Sequence, residues 1–172
     1  MNSSSEKCIL AIDPIYRGLG WAVIEGGTRL VDWGVRNARQ GNKNSVSLRR
    51  VAELIGRYEP DVVVVENCKA AGSRRCRRVE RLIERIEGLA SKKDIEVCKV
   101  SRAMLEEAFF HAEASTKHEI ATVIARRFPA LAVWVPPLRR TWMAEDYRDG
   151  MFDAVALGLT YFYLEEEERR AA

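Results

Sequence analysis

The stretch Asp61-Val-Val-Val-Val-Glu66 is β-branched and apolar throughout between its two acids. A strand that is apolar on both faces belongs to a sheet covered by helices on both sides. Its flanks agree. Upstream, Val46, Leu48, Val51, Leu54, Ile55 and Tyr58 recur at helical spacing from Ser45 to Tyr58, and Pro60 stops the pattern. Downstream, Cys76, Val79, Leu82, Ile83, Ile86 and Leu89 mark an amphipathic helix over Ser73 to Ala90. Ile95 to Val100 then reads as a further strand. Strand, helix and strand in that order call for a parallel pair joined by a crossover.

Further out, Lys7 to Asp13 is an apolar run ending at Asp-Pro, which reads as a buried strand. Gly20 to Glu25 and Thr28 to Val35 flank Gly26-Gly27, the signature of a hairpin. On the other side, Ser101 caps a short helix from Arg102 to about Phe110. Thr116-x-x-Glu119 is a capping box for a helix from Lys117 to Phe128, which Pro129 halts. Leu131 to Val135 is too short to assign. A last helix runs from near Arg148 to about Arg169. The pattern predicts an α/β protein: a mixed five-stranded sheet with helices on both faces.

A chain of 172 residues with 47% hydrophobic content suits one domain with a real core, over residues 1–172. Residues 1–6 form a short polar start and 165–172 an acidic tail. No apolar run approaches the ~20 residues of a membrane span. Met1 to Lys7 lacks the apolar core of a signal peptide, so a cytoplasmic protein with no membrane partner is expected. Cys8, Cys68, Cys76 and Cys98 form no Cys-x-x-Cys pair, which argues against a zinc site. Three of them sit in apolar patterns and read as buried free thiols.

Asp13 and Glu66 each close a strongly apolar strand. Ligands of open α/β sheets bind outside the carboxyl ends of the strands, so the two acids converge there if their strands are parallel neighbours. Asp149 and Asp153 lie four apart and so share one face of the last helix. The small apolar run Ala154 to Leu159 lets that helix pack closely on the sheet. Asp149 taken alone, followed by Gly150, could also be the N-cap of the last helix. Clustered carboxylates repel one another unless cations intervene. Hard oxygen donors suit Mg²⁺ or Mn²⁺, and two such ions about 3.5–4 Å apart clamp the attacking and leaving oxygens of a phosphodiester.

The net charge of +3 conceals a basic stripe. Lys69, Arg74, Arg75, Arg77, Arg78, Arg81 and Arg85 face only Glu80 and Glu84 over residues 69–85, a distribution suited to a polyanion. Arg74, Arg75, Arg77 and Arg78 are expected to contact phosphates, which arginine forks bind bidentately. Arg139 and Arg140 lie between Trp134 and Trp142, a mixture found on nucleic-acid surfaces and also in loops pinned by tryptophan. Lys117 opens a helix, where a cation is mildly unfavourable, and that cost favours a role at a phosphate.

Together these motifs resemble the RuvC-type Holliday-junction resolvases. Asp13-Pro-Ile-Tyr-Arg-Gly-Leu-Gly-Trp-Ala-Val23 is similar to the family's opening strand and hairpin, and Glu66 to its second carboxylate. Asp149-Gly-Met-Phe-Asp-Ala-Val-Ala-Leu157 is similar to its closing helix. The resemblance spans about residues 8 to 162. It implies an RNase H-like fold, a homodimer, divalent-metal catalysis with Asp13, Glu66, Asp149 and Asp153 as ligands, assistance from Lys117, and cleavage of branched DNA with four-way junctions as the expected substrate. The chain departs from the family at Ile15 and Leu19, where glycine and threonine are usual. The closing aspartates are four apart, where the bacterial enzymes have three. Lys69 stands where bacterial members carry an aromatic wedge, and the Trp134–Trp142 stretch is extra. A nuclease without junction selectivity, or a binder without catalysis, is the alternative.

Overall fold

The computed structural model describes residues 6–38 and 40–172. Five strands form one sheet in the order β3-β2-β1-β4-β5. Strands β1 (Cys8–Ile15), β2 (Gly18–Glu25) and β3 (Arg29–Asn37) are an antiparallel meander, while β4 (Val62–Glu66) and β5 (Glu96–Val100) run parallel to β1. Helix α1 (Lys43–Tyr58) carries the chain from β3 to β4, and α2 (Arg77–Ser91) from β4 to β5. Helices α3 (Arg102–Phe110) and α4 (Lys117–Arg127), a 3₁₀ turn (Pro129–Trp134) and α5 (Asp149–Ala171) follow. The mixed sheet predicted from the sequence is the one observed.

Alternation along the strands sorts their side chains to two cores. Leu10, Ile12, Val63 and Val65 pack against Val51, Leu54 and Ile55 of α1 and Val79, Leu82, Ile83 and Ile86 of α2. Ile9, Ala11, Val62 and Val64 face α5, flanked by α3 and α4. The apolar stripe of α2 is therefore spent inside the protein.

Several boundaries differ from expectation; β2 starts earlier, at Gly18, and β3 runs on to Asn37. Strand β1 continues past Asp13 through Pro14 to Ile15, paired with β2. Its pairing with β4 ends at Ile12, so the missing proline N–H falls where β1 is flanked on one side only. Helix α1 starts at Lys43, because the Asn42 side chain accepts from the N–H groups of Asn44 and Ser45. Helix α2 starts at Arg77, not near Ser73. Gly72 takes φ +85° and Cys76 is extended, so Arg74 and Arg75 lie in the lead-in loop. The hairpin turn at Gly26 and Gly27 has φ of 57° and 73°, as the glycine pair predicts. Residues 1–5 of the polar start lie outside the described residues. No described helix is long and apolar enough to cross a membrane.

Candidate active site

Strand parity aims the two strand acids. Asp13 follows Ile9 and Ala11 onto the α5 face, and Glu66 follows Val62 and Val64 onto the same face. The register Ile12↔Val65 makes Asp13 and Glu66 neighbours across the β1/β4 pair. Helix α5 crosses above them closely. A Cβ on Gly20, opposite Asp13 in β2, would lie 2.1 Å from the Gly150 carbonyl oxygen. Only bare backbone on both elements permits that approach, and it sets the first turn of α5, with Asp149 and Asp153, over Asp13.

Asp13 is 1% exposed. Its Oδ1 accepts from Arg75 Nη2, while its Oδ2 has no hydrogen-bond partner among the described residues. The same guanidinium donates from Nε to Glu66 Oε2 and from Nη1 to the Pro14 carbonyl at 3.0 Å. Ser73 Oγ reaches Glu66 Oε1 at 3.5 Å. Lys117, the first residue of α4, donates to Asp153 Oδ2 at 2.8 Å and pairs with Glu145. Asp149 is the first residue of α5. Its Oδ2 accepts from the Asp146 N–H at 3.2 Å, while Arg148 occupies the cap position.

The electrostatics follow from this crowding. Burial raises the Asp13 carboxyl to about 7; Arg75 opposes the rise and Asp153 adds to it. Burial likewise raises Asp153 against the pull of Lys117, and raises Asp149. Lys117 is held above its ordinary value because its acidic partners outweigh its own desolvation. Acids from β1, β4 and α5 thus share one rim with two built-in cations. Among the described residues no three Asp, Glu, His or Cys side chains are grouped closely enough to share an ion. Arg75 and Lys117 instead divide the acids into two ion-paired sets.

The basic stripe splits by direction. Arg75 points inward to the acids, which corrects its reading as an outward phosphate contact. Arg78 also turns in, donating to Asn44 Oδ1 at 2.9 Å and to the carbonyls of Ile15 at 2.8 Å and Tyr16 at 3.1 Å. It ties α2 to the β1–β2 turn and to α1 rather than facing solvent. Lys69, Arg74 and Arg77 are exposed. Arg139 and Arg140 are exposed too, Arg139 donating to the Met143 carbonyl at 2.8 Å and Arg140 lying 5.4 Å from the Trp142 ring centroid. Trp142 is 75% exposed, so it does not pin the loop down. A cavity of about 220 Å³ adjoins the site, walled by Lys117, Asp149, Arg139 and Met143. Glu145 and Ser73 were not singled out from sequence: Glu145 lies outside any periodic segment, and Ser73 read only as the start of a helix that in fact begins at Arg77.

No family model matches the chain, and no curated protein matches it. Solved structures do. Thermus thermophilus RuvC in complex with a Holliday junction substrate superposes with a TM-score of 0.65 at 19% identity, over 93% of this chain and 96% of that one. The yeast mitochondrial Holliday junction resolvase Ydc2 gives 0.69 at 13% identity, over 96% and 82%. The fowlpox virus resolvase, complexed with junction DNA, gives 0.57 at 16% identity, over 92% and 98%. The chain shares the mixed α/β fold of these resolvases.

Proposed function

We propose that this protein is a structure-selective endodeoxyribonuclease that resolves four-way DNA junctions by metal-dependent phosphodiester hydrolysis. The observation that carries the reading is the convergence of Asp13, Glu66 and Asp153, from three separate elements, on one rim of a resolvase-like sheet. By their chemistry the residues suit a divalent ion, although Arg75 and Lys117 hold them in two ion-paired sets. The donor set is all carboxylate oxygen, and Asp13 Oδ2 is buried without a partner among the described residues. Asp13, Glu66 and Asp153, with Asp149 beside them, would hold Mg²⁺ or Mn²⁺, one or two ions per site. Such an ion supplies Lewis acidity toward the phosphate and a nucleophile at neutral pH.

The protein's own groups do the rest. Burial fixes the Asp13 side chain at the rim of the sheet. Lys117 holds Asp153 in place and carries a positive charge to where the pentavalent phosphorus gathers negative charge. Lys69, Arg74, Arg77, Arg139 and Arg140 offer exposed charges to the DNA backbone, which position the duplex arms without reading sequence. A four-way junction has two-fold symmetry, so two copies of the chain supply paired cuts as a homodimer. We place this activity in the cytoplasm, where free thiols such as those found here stay reduced.

The test is incubation with matched four-way, forked and linear duplex DNA, with and without Mg²⁺. Symmetric cuts in the junction alone support the proposal. Equal cutting of all three substrates points to an unselective nuclease, and tight binding without cuts to a junction-binding protein. Asp13→Asn and Glu66→Gln should each lower cleavage by about a thousandfold or more while keeping junction binding, as expected when a transition-state charge partner is lost. Asp153→Asn belongs with them. Asp149→Asn separates its two roles: lost cutting marks a ligand, and normal cutting with earlier melting marks a helix start.

A further inference from the structure

Arg75 differs from every other arginine of the stripe in its partners. One guanidinium spans two carboxylates on two strands, where an ordinary bidentate pair uses one. Its third bond goes to the Pro14 carbonyl. The side chain is 27% exposed while Asp13 beneath it is 1% exposed, so Arg75 caps the carboxylates from the solvent side. It reaches only one oxygen of Asp13, and Oδ2 is buried and unbonded among the described residues. The backbone that carries it is a loop, after a left-handed Gly72 around which a Cβ would meet only open space.

We infer that Arg75 is a displaceable counter-cation: it holds Asp13 and Glu66 together in the metal-free protein and leaves when a divalent ion takes the same oxygens. The inference rests on the proposal that these carboxylates bind such an ion. Two negative groups in a dry pocket repel each other strongly without a cation between them. A folded, metal-free chain therefore needs a substitute, and the guanidinium is one. A guanidinium and a divalent ion on the same two carboxylates repel each other at close range, so the two compete for Asp13 and Glu66. Arg78 supplies the contrast. It too is turned inward, but its partners are neutral carbonyls and an amide, none of which a metal would claim.

The experiment uses the full chain, with Mn²⁺ as the probe, read by calorimetric titration and by melting in EDTA and in Mn²⁺. Arg75→Ala should melt below wild type in EDTA, and Mn²⁺ should raise its melting temperature by more than it raises that of wild type. Its Mn²⁺ affinity should exceed that of wild type by about tenfold or more, because no charged hydrogen bonds have to be broken first. Arg75→Lys, which keeps one charge but no fork, should fall between the two and remains informative if the alanine variant fails to fold. Arg78→Ala should lose stability equally with and without Mn²⁺. Asp13→Asn should abolish the Mn²⁺ response. If wild type binds Mn²⁺ through Asp13 but Arg75→Ala and Arg75→Lys bind it no tighter, the displacement idea is wrong while the metal site stands. If no variant binds Mn²⁺, the metal site itself falls, and the inference with it.

Discussion

The two faces of the sheet are packed by different rules. Toward α1 and α2 the contacts are long aliphatic side chains, Leu10, Ile12, Val63 and Val65 against Leu54, Leu82, Ile83 and Ile86. Toward α5 the contacts are close and small. Gly158 sits where a Cβ would come within 3.4 Å of Ile9, Ala11 and Ile24 atoms, and Gly20 abuts Gly150 backbone to backbone. The first face is an ordinary helix-on-sheet core. The second brings a helix near enough to place Asp153 beside Asp13. The acids occur on that face alone, so proximity of backbones is the structural requirement of the site. The α1/α2 face contributes through its loop, which delivers Arg75 around the sheet end.

The comparison predicts opposite tolerance on the two faces. Gly20→Ala should destabilise by on the order of 3 kcal/mol, because the added methyl meets backbone that cannot rotate away. Cleavage should fall with it, as α5 and Asp153 are pushed off Asp13. Leu54→Met on the other face keeps volume and should cost less than about 1.5 kcal/mol, with cleavage unchanged. For a chain of this size each kcal/mol moves the melting midpoint by roughly 2–4 °C, so melting curves resolve the two. Similar losses for both variants would show that the close approach carries no special weight.

Much of this was legible beforehand, and the misses share a cause. The apolar runs at Lys7 to Asp13 and Asp61 to Glu66 gave away two adjacent central strands, and period two then fixed which way their acids point. The last helix was legible through its small residues. Direction of charge was not. Arg74, Arg75, Arg77 and Arg78 are identical in composition, yet two face solvent and two face inward. What separates them is a helix start at Arg77 and the carboxylates and carbonyls within reach of Arg75 and Arg78, which are tertiary facts. Glu145 escaped for the same reason: it lies in an irregular stretch and acquires meaning only from Lys117.

The outward arginines supply a smaller test, and it asks whether the α1/α2 side touches DNA at all. Neutralising a duplex phosphate releases condensed counterions, and each contact adds roughly 0.9 to the slope of log affinity against log salt. Replacing Arg74 and Arg77 together by alanine should lower the slope for junction binding by about one to two units. Melting should barely change, since exposed charges contribute little to folding. A salt titration with an unchanged slope would confine DNA contact to the α5 side, with Lys117, Arg139 and Arg140 as its remaining cations.

The smallest effect lies at the far end of α5, where Lys7 Nζ bonds Glu165 Oε1 at 2.6 Å and Tyr161 Oη at 2.6 Å. If close small-residue packing seats this helix, a rim ion pair adds little. The Glu165 side chain is 31% exposed and that of Lys7 36%, so screening holds the pair to about 1 kcal/mol or less. Its pH dependence has a definite sign. Lys7 depresses the Glu165 carboxyl below its ordinary 4.5, so that contribution is present above 4.5 and fades as pH falls through the lowered value. Glu165, ahead of Tyr161, raises the Lys7 ammonium above its ordinary 10.5, so the contribution is complete below 10.5 and is lost as pH climbs through the raised value. Between those limits Lys7→Met should lower stability by a constant small amount. Melting of wild type and Lys7→Met from pH 3 to pH 9 should show the difference narrowing only at the acid end. A loss of several kcal/mol at neutral pH would mean that α5 hangs on its charged end, and that the glycine contacts near Asp13 follow from its placement instead of causing it.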